Sequence, residues 1–259
     1  MIEHLSPSTV QTYRECGKKV YFEKVLGVDN PMKYAMTSFG SSMHFAIEKL
    51  YKDKLSEKEF ISTFANDWNN ISQYVTEWKT DTATSLLQQG IDACKDFYHN
   101  IYGKYDVVEV EREFVINRGE GQLSILCYAD AITSDGCIID YKFGRGLSGM
   151  ADSKTYKCNM ATYAWAYQDV TGKLPTKIVF IKEKWKRTKD KDTGQYIFSH
   201  DGFVIDEHEI TQSEIDFYKD VYDNTETGIQ AGVWLPASDS SFFCKGCGYR
   251  LIGKCTKEV

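Results

Sequence analysis

The chain carries two hydrophobic rhythms in succession. Through the first hundred residues the apolar positions follow a helical spacing. Val10, Tyr13, Val20, Tyr21 and Val25 predict two short amphipathic helices around Cys16-Gly17, with Ser6 as N-cap and Pro7 in the first helical position. Further helices are predicted over Ser38 to Lys52, over a stretch opened by Ser56-Glu57 that holds Phe60, Phe64 and Trp68, and over Asp81 to Tyr102. At Val107 the period falls toward two. Val107 to Ile116 and Gln122 to Ile132 read as strands, joined through the turn Ser134-Asp135-Gly136 to a third, Cys137 to Lys142. That third strand is apolar until its last residues, the pattern of a strand buried on both faces whose polar residues gather at its end. Ser153 to Val170 returns to helix, and Lys177 to Trp185 is a further strand. A charged turn, Lys186 to Gly194, leads into Gln195 to Ile205 as a hairpin partner. Thr211 to Ala231 closes the regular structure, with Thr211 and Glu214 spaced as a capping box.

The expectation is a mixed α/β fold in one domain spanning residues 1–259. Within it, 1–103 form a helical part, 104–235 an α/β core, and 236–259 a Cys-rich segment packing on the N-terminal helices. Hydrophobic content of 42% and charged content of 26% fit a globular chain, and four prolines leave no linker-like tract. No apolar run is long enough to span a bilayer, and Met1-Ile2-Glu3-His4-Leu5 lacks the regions of a signal peptide. A cytoplasmic protein of a bacterial, archaeal or phage-infected cell is expected, without membrane contact. Eight cysteines in a reducing compartment suggest metal ligands more than disulfides. A net charge of −6 gives no global attraction for nucleic acid, so any such contact must come from local basic patches.

Chemistry concentrates at the end of the third strand. Asp140 and Lys142 stand two apart and share a face, and Asp130 closes the preceding strand within hairpin reach. Two carboxylates and an ammonium suit a divalent metal acting on a phosphodiester: the acids bind Mg²⁺ or Mn²⁺ through oxygen, and the lysine orients water or offsets developing charge. The bland alternative is a solvated strand end. His44 and Glu48 lie four apart on one helical face, where a histidine is ordinarily a surface or core residue. Cys244 and Cys247 form a C-x-x-C turn and Cys255 follows, a thiolate set for zinc or an iron–sulfur centre. Cys94, Cys127, Cys137 and Cys158 sit in apolar or regular elements as ordinary buried residues. Lys182 to Lys189 is the densest cationic run; it reads either as a solvated turn or, through Lys182, Lys184 and Trp185, as a phosphate-contacting strand.

Ile138-Ile139-Asp140-Tyr141-Lys142-Phe143-Gly144 resembles the motif core of RecB-like PD-(D/E)xK nucleases, with Asp130 where that family keeps its first metal-binding aspartate. Gly40 and His44 match the family's glycine-x-x-x-histidine helix. Asn159 to Tyr163 resembles its glutamine-x-x-x-tyrosine element, with asparagine in place of glutamine. Ser6-Pro7-Ser8, Tyr13 and Cys16, together with the three C-terminal cysteines, are similar to members that carry an iron–sulfur cluster, including CRISPR-associated adaptation nucleases and related phage exonucleases. The resemblance implies a restriction-endonuclease-like sheet flanked by helices. It implies catalytic Asp130, Asp140 and Lys142, and a Mg²⁺ or Mn²⁺ ion on His44, Asp130, Asp140 and the Tyr141 carbonyl. It implies a 4Fe–4S cluster on Cys16, Cys244, Cys247 and Cys255, with zinc as the alternative occupant. Asn159, Tyr163, Lys182 and Lys184 would contact DNA. The implied activity is hydrolysis of phosphodiester bonds from a DNA end, on single-stranded DNA. Protein partners in DNA repair, recombination or CRISPR adaptation, and self-association, stay open. The competing readings are a DNA-end-binding adaptor that does not cleave and a zinc-stabilised scaffold with fortuitous acids.

Overall fold

In the structure, a computed structural model, the described residues are 2–145, 154–189, 191, 194–238, 241, 244 and 246–255. Helices α1 (Pro7–Glu15) and α2 (Gly17–Val20) flank Cys16, with Ser6 capping α1 through the Thr9 N–H at 3.1 Å. A π-turn over Tyr21–Val25 follows. Next come α3 (Ala35–Asp53), α4 (Glu57–Ile71) and α5 (Ala83–Asn100). Each has a local reason to form. Phe39, Met43, Ala46, Ile47 and Leu50 make one buried face of α3, and Lys54 at φ 52° ends it in the left-handed conformation. Capping boxes open α4 at Ser56–Glu59 and α5 at Thr82–Ser85. Phe60, Phe64 and Trp68 of α4 are fully buried, each ring contributing about 2–3 kcal/mol of hydrophobic stabilisation. Gly90 of α5 lets Phe64 close in, since a Cβ there would stand 1.9 Å from the ring.

The six-stranded sheet consists of β1 (His4–Leu5), β2 (Val107–Ile116), β3 (Ser124–Thr133), β4 (Ile138–Lys142), β5 (Ile178–Lys189) and β6 (Tyr196–His208). One edge of β3 pairs antiparallel with β2; the other pairs parallel with β1 at its start and antiparallel with β4 at its end. Beyond β4 lie β5, parallel to it, and then antiparallel β6. The β4–β5 crossover contains α6 (Lys154–Thr171), and α7 (Gln212–Gln230) follows β6 behind the Thr211–Glu214 capping box. One face of the sheet packs with α1, α6 and α7 in a core that includes Ile138, Phe180, Tyr163 and Tyr222. The other packs on α3, α4 and α5 with Ile139, Tyr141, Val179 and Ile181. The result is the expected mixed α/β architecture: a mixed sheet between two helical layers, with β4 at its centre.

The tail reaches the other end of the chain. Tyr249, in the short helix α8 (Gly248–Leu251), is buried, donates to the Val28 carbonyl at 3.0 Å and packs on Phe22. Tyr34 donates to the Gly246 carbonyl at 2.6 Å. Two local details differ from the sequence expectations. β1 was not anticipated, because two residues carry no periodic signal. β5 continues past Trp185 to Lys189, held by its ladder to β6 rather than by apolar side chains. Ser153 of the helix expected over Ser153 to Val170, and residues 190, 192 and 193 of the expected charged turn, lie outside the described residues. Among the described residues, no helix is long and apolar enough to cross a membrane.

Candidate active site at the open end of the β3–β4 hairpin

The β3–β4 ladder runs from Ile132↔Ile138 to Ala131↔Ile139, so the next residues out, Asp130 and Asp140, face one another where the pairing ends. Asp140 is 1% exposed although it carries a carboxylate. Alternation puts Asp140 and Lys142 on the α6 side. There Lys142 Nζ donates to Asp140 Oδ1 at 2.7 Å and stands 2.6 Å from Oδ2, with the Tyr156 ring 5.9 Å from the ammonium. Between them, the Tyr141 backbone N–H donates to Asp130 Oδ2 at 2.7 Å.

From the opposite layer, α3 brings His44, whose Nδ1 lies 3.5 Å from Asp130 Oδ2. The Phe143 ring meets the imidazole edge-on at 5.7 Å, and the Tyr141 carbonyl acts on it as a hydrogen-bond acceptor. A third acid arrives from β2. The pairs Val110↔Ala131 and Arg112↔Ala129 set Glu111 opposite Asp130. Glu111 has φ 49°, a left-handed conformation in mid-strand that costs a non-glycine residue on the order of 1–3 kcal/mol. Ligand atoms of His44, Glu111 and Asp130 all lie within 4.8 Å of one another, in an open groove of about 560 Å³ between α3, β2 and Phe143.

The electrostatics follow from crowding. Burial, then the neighbouring Asp140, raises the Asp130 pKa well above its ordinary value, only partly opposed by Lys142 and the Tyr141 N–H. Burial, then Asp130, raises Glu111 to about 7. Burial, then Lys142, lowers His44 below 6.5 against the pull of Asp140 and Glu111, so its imidazole is neutral at neutral pH and free to ligate. Burial opposes the Lys142 ammonium, but Asp140 and Asp130 outweigh it and hold its pKa above 10.5. Lys142 is therefore a fixed cation rather than a base. Two oxygen donors and one imidazole nitrogen at this spacing are compatible with a divalent metal ion.

His44, Asp130, Asp140, Tyr141 and Lys142 thus come together. Asp140 stays outside the three-ligand group, paired to Lys142. Glu111 is absent from the residues singled out in the sequence; Glu109, Glu111 and Glu113 are equivalent there, and only pairing with β3 tells them apart. Tyr163 of α6 is buried, its hydroxyl pKa raised by burial and then by Asp140 and Asp130. Asn159, one turn earlier, is half-buried. Lys182 stands beside Lys142 in the β4–β5 register but is 5% exposed and paired with Asp206. Lys184 is exposed and paired with Asp201 at 2.8 Å. Glu48 lines the groove and pairs with Lys52 at 2.6 Å.

Cys16, Cys244, Cys247 and Cys255 are free and partly exposed, while Cys94, Cys127, Cys137 and Cys158 are buried. The first four share one neighbourhood: burial raises the Cys244 thiol pKa, followed by the effects of Cys16, Cys247 and Cys255. Among the described residues, no three of these sulfurs lie within 4.8 Å of one another.

A mixed sheet with acids and a lysine gathered at the open end of its central hairpin defines a phosphodiester-cleaving class of fold. The chain belongs to the PD-(D/E)XK nuclease superfamily, whose profile matches residues 4–252. Among solved structures it is similar to a candidate exonuclease from Eubacterium rectale, with a TM-score of 0.58 and 14% identity over 99% of this chain and 90% of that one. It also matches SSO0001, with a TM-score of 0.35 and 18% identity over 93% of this chain and 96% of that one. A third match is LHK-Exo in complex with dAMP, with a TM-score of 0.34 and 9% identity over 76% and 93%. No curated protein matches the chain.

Proposed function

We propose that the protein is a Mg²⁺- or Mn²⁺-dependent deoxyribonuclease of the RecB-like kind, hydrolysing DNA from an end and acting on single strands. The observation that carries the reading is the convergence of His44, Glu111 and Asp130 at ligand spacing beside the Asp140–Lys142 pair. When bound, the divalent ion polarises a phosphoryl oxygen and acidifies a water molecule. His44, Glu111 and Asp130 would hold the ion, and the Tyr141 N–H fixes the Asp130 carboxylate in place. Asp140 keeps Lys142 charged and directed. Lys142 offsets the negative charge that builds on the phosphate as the bond to the leaving oxygen breaks. On this reading the candidate DNA contacts narrow to the exposed groove and to the exposed Lys184, since Lys182 is buried against Asp206.

We further infer a 4Fe–4S cluster on Cys16, Cys244, Cys247 and Cys255. The docking of α8 on the N-terminal segment and the common neighbourhood of the four thiols support this reading. Four thiolates drawn from the two ends of the chain are a set that either an iron–sulfur cluster or a tetrahedral zinc takes. Anaerobic purification with metal analysis and visible absorbance separates the two: a colourless protein with one zinc would end the cluster assignment.

The activity is tested with single- and double-stranded DNA labelled at either the 5′ or the 3′ end, incubated with Mn²⁺. Release of short labelled products, abolished by EDTA, is expected. Tight DNA binding without any cleavage, in protein holding its full metal complement, would point instead to a non-cleaving adaptor.

A further inference from the structure

The β5–β6 hairpin overshoots the catalytic end of the sheet. β4 stops at Lys142, opposite Lys182, while β5 runs on to Lys189, seven residues and roughly 20 Å farther. The register shifts once between Glu183 and Trp185 and then holds from Trp185↔His200 to the last pair, Lys189↔Tyr196, so the overhang is a two-stranded arm. Directly opposed residues share a face. One face therefore carries Trp185 with His200, Arg187 with Phe198, and Lys189 with Tyr196. Trp185 meets Phe39 of α3 edge-on at 6.0 Å, which turns this face to the side of the sheet that holds His44.

On that face cations lie over rings. The Arg187 guanidinium is 3.4 Å from the Tyr196 centroid, and Arg145, three residues past Lys142, is 3.9 Å from Phe198 and 4.9 Å from Trp185. Tyr196 is 47% exposed. Arg145 pairs with Asp81 and Lys184 with Asp201, but among the described residues Arg187 and Lys189 have no acidic partner. Residues 184–199 hold five basic and two acidic side chains in a chain whose net charge is −6. An exposed cationic and aromatic strip is therefore built onto the catalytic end of an acidic protein.

We propose that the β5–β6 arm is a nucleic-acid-binding surface that takes a single strand, its phosphates on Arg187 and Lys189 and its bases on Tyr196 and Phe198. The arm leads that strand to the carboxylate edge, a role that rests on the nuclease reading above. Rings spread along a ribbon can stack on unpaired bases, whereas the bases of a duplex are closed to them. The cations supply the sequence-independent term.

The test uses the full chain with a fluorescein-labelled oligothymidylate in EDTA, read by anisotropy over a range of salt. Hydrolysis of bis(p-nitrophenyl) phosphate with Mn²⁺, a diester too small to reach the arm, is followed in parallel. The double variant R187Q/K189Q is expected to lose affinity severalfold and to flatten the plot of log K against log salt by about 1.4, at 0.7 per lost phosphate contact. Tyr196→Ala is expected to lose roughly tenfold, the worth of one stacked base, with an unchanged salt slope, and Tyr196→Phe to restore binding. Small-diester hydrolysis should stay at the wild-type rate in all three. The proposal falls if R187Q/K189Q binds with wild-type affinity and slope, if small-diester hydrolysis falls in step with binding, if duplex is bound as tightly as single strand, or if the variants change the mass in solution by light scattering. Should wild-type protein hydrolyse neither substrate while the arm variants still lose binding, the nuclease reading fails and the arm stands.

Discussion

Two clusters of charge in this molecule are completed in opposite ways. In the β2–β3 connection, Arg118 has a side chain only 3% exposed and reaches both Asp223 and Glu226 of α7, the latter at 2.8 Å. Glu226 also accepts from the Leu123 N–H at 2.7 Å and from Gln230 at 2.9 Å. Each acid there meets the guanidinium. At the open end of the β3–β4 hairpin, Glu111, Asp130 and Asp140 crowd one fixed cation and a histidine whose pKa is pushed down. Glu111 and Asp130 are raised rather than satisfied, and Glu111 sits in a strained backbone conformation. Charge that serves the fold is paired to completion, while charge that serves chemistry is held unbalanced by surrounding structure.

The difference can be broken from the structural side first. Arg118→Ala should destabilise the protein by about 3–5 kcal/mol, because it leaves Glu226 buried without its cation. Urea unfolding should show a lower midpoint with an unchanged slope, and a loss below about 1 kcal/mol would mean that the pairing is ornamental. Lys142→Ala should lower kcat for DNA hydrolysis by about 10²–10³-fold, as expected when a positioned charge is removed from the transition state. Its Mn²⁺ affinity by calorimetry should change little, and a variant that cleaves at the wild-type rate would refute the role given to Lys142.

Metal should complete the unbalanced cluster. At a hundred times its Kd, Mn²⁺ should stabilise the wild type by about 2.7 kcal/mol in calorimetric melting, and Asp130→Asn should lose most of that gain. The smallest effect concerns pH. Glu111 has its folded pKa raised from an ordinary 4.5 to about 7, so between those values the folded state holds more protons than the unfolded one. Stability in EDTA should therefore fall as pH rises from about 4.5 to about 7. After allowance for the partial exposure of Glu111, the loss is on the order of 1 kcal/mol. Glu111→Gln should flatten the dependence and raise the melting temperature at pH 7 while weakening Mn²⁺ binding. An unchanged pH profile in that variant would show that Glu111 is not the titrating group.

How much of this was legible beforehand depended on distance along the chain. The capping signals at Ser56 and Thr211, the helical face ending in Trp68 and the apolar run into Asp140 are local patterns, and the structure places elements where they fall. His44, Asp130 and Lys142 were legible through a family resemblance. Glu111 was not, because its neighbours Glu109 and Glu113 carry the same side chain and no local signal favours one of the three. Lys182 and Lys184 looked alike in sequence; a two-residue step along β5 buries one against Asp206 and leaves the other in solvent.

The sequence by itself determined the order of the long helices and strands, the faces that the helices bury, and the carboxylate–lysine end of an apolar strand. Periodicity and capping act over a few residues, so they can be read from the chain alone. Tertiary structure decided which acid of β2 meets Asp130, how far the β5–β6 arm projects, and which lysine keeps an exposed charge. Those outcomes depend on strand register and on packing between segments far apart in the chain, where a shift of one residue would send each side chain to the opposite face.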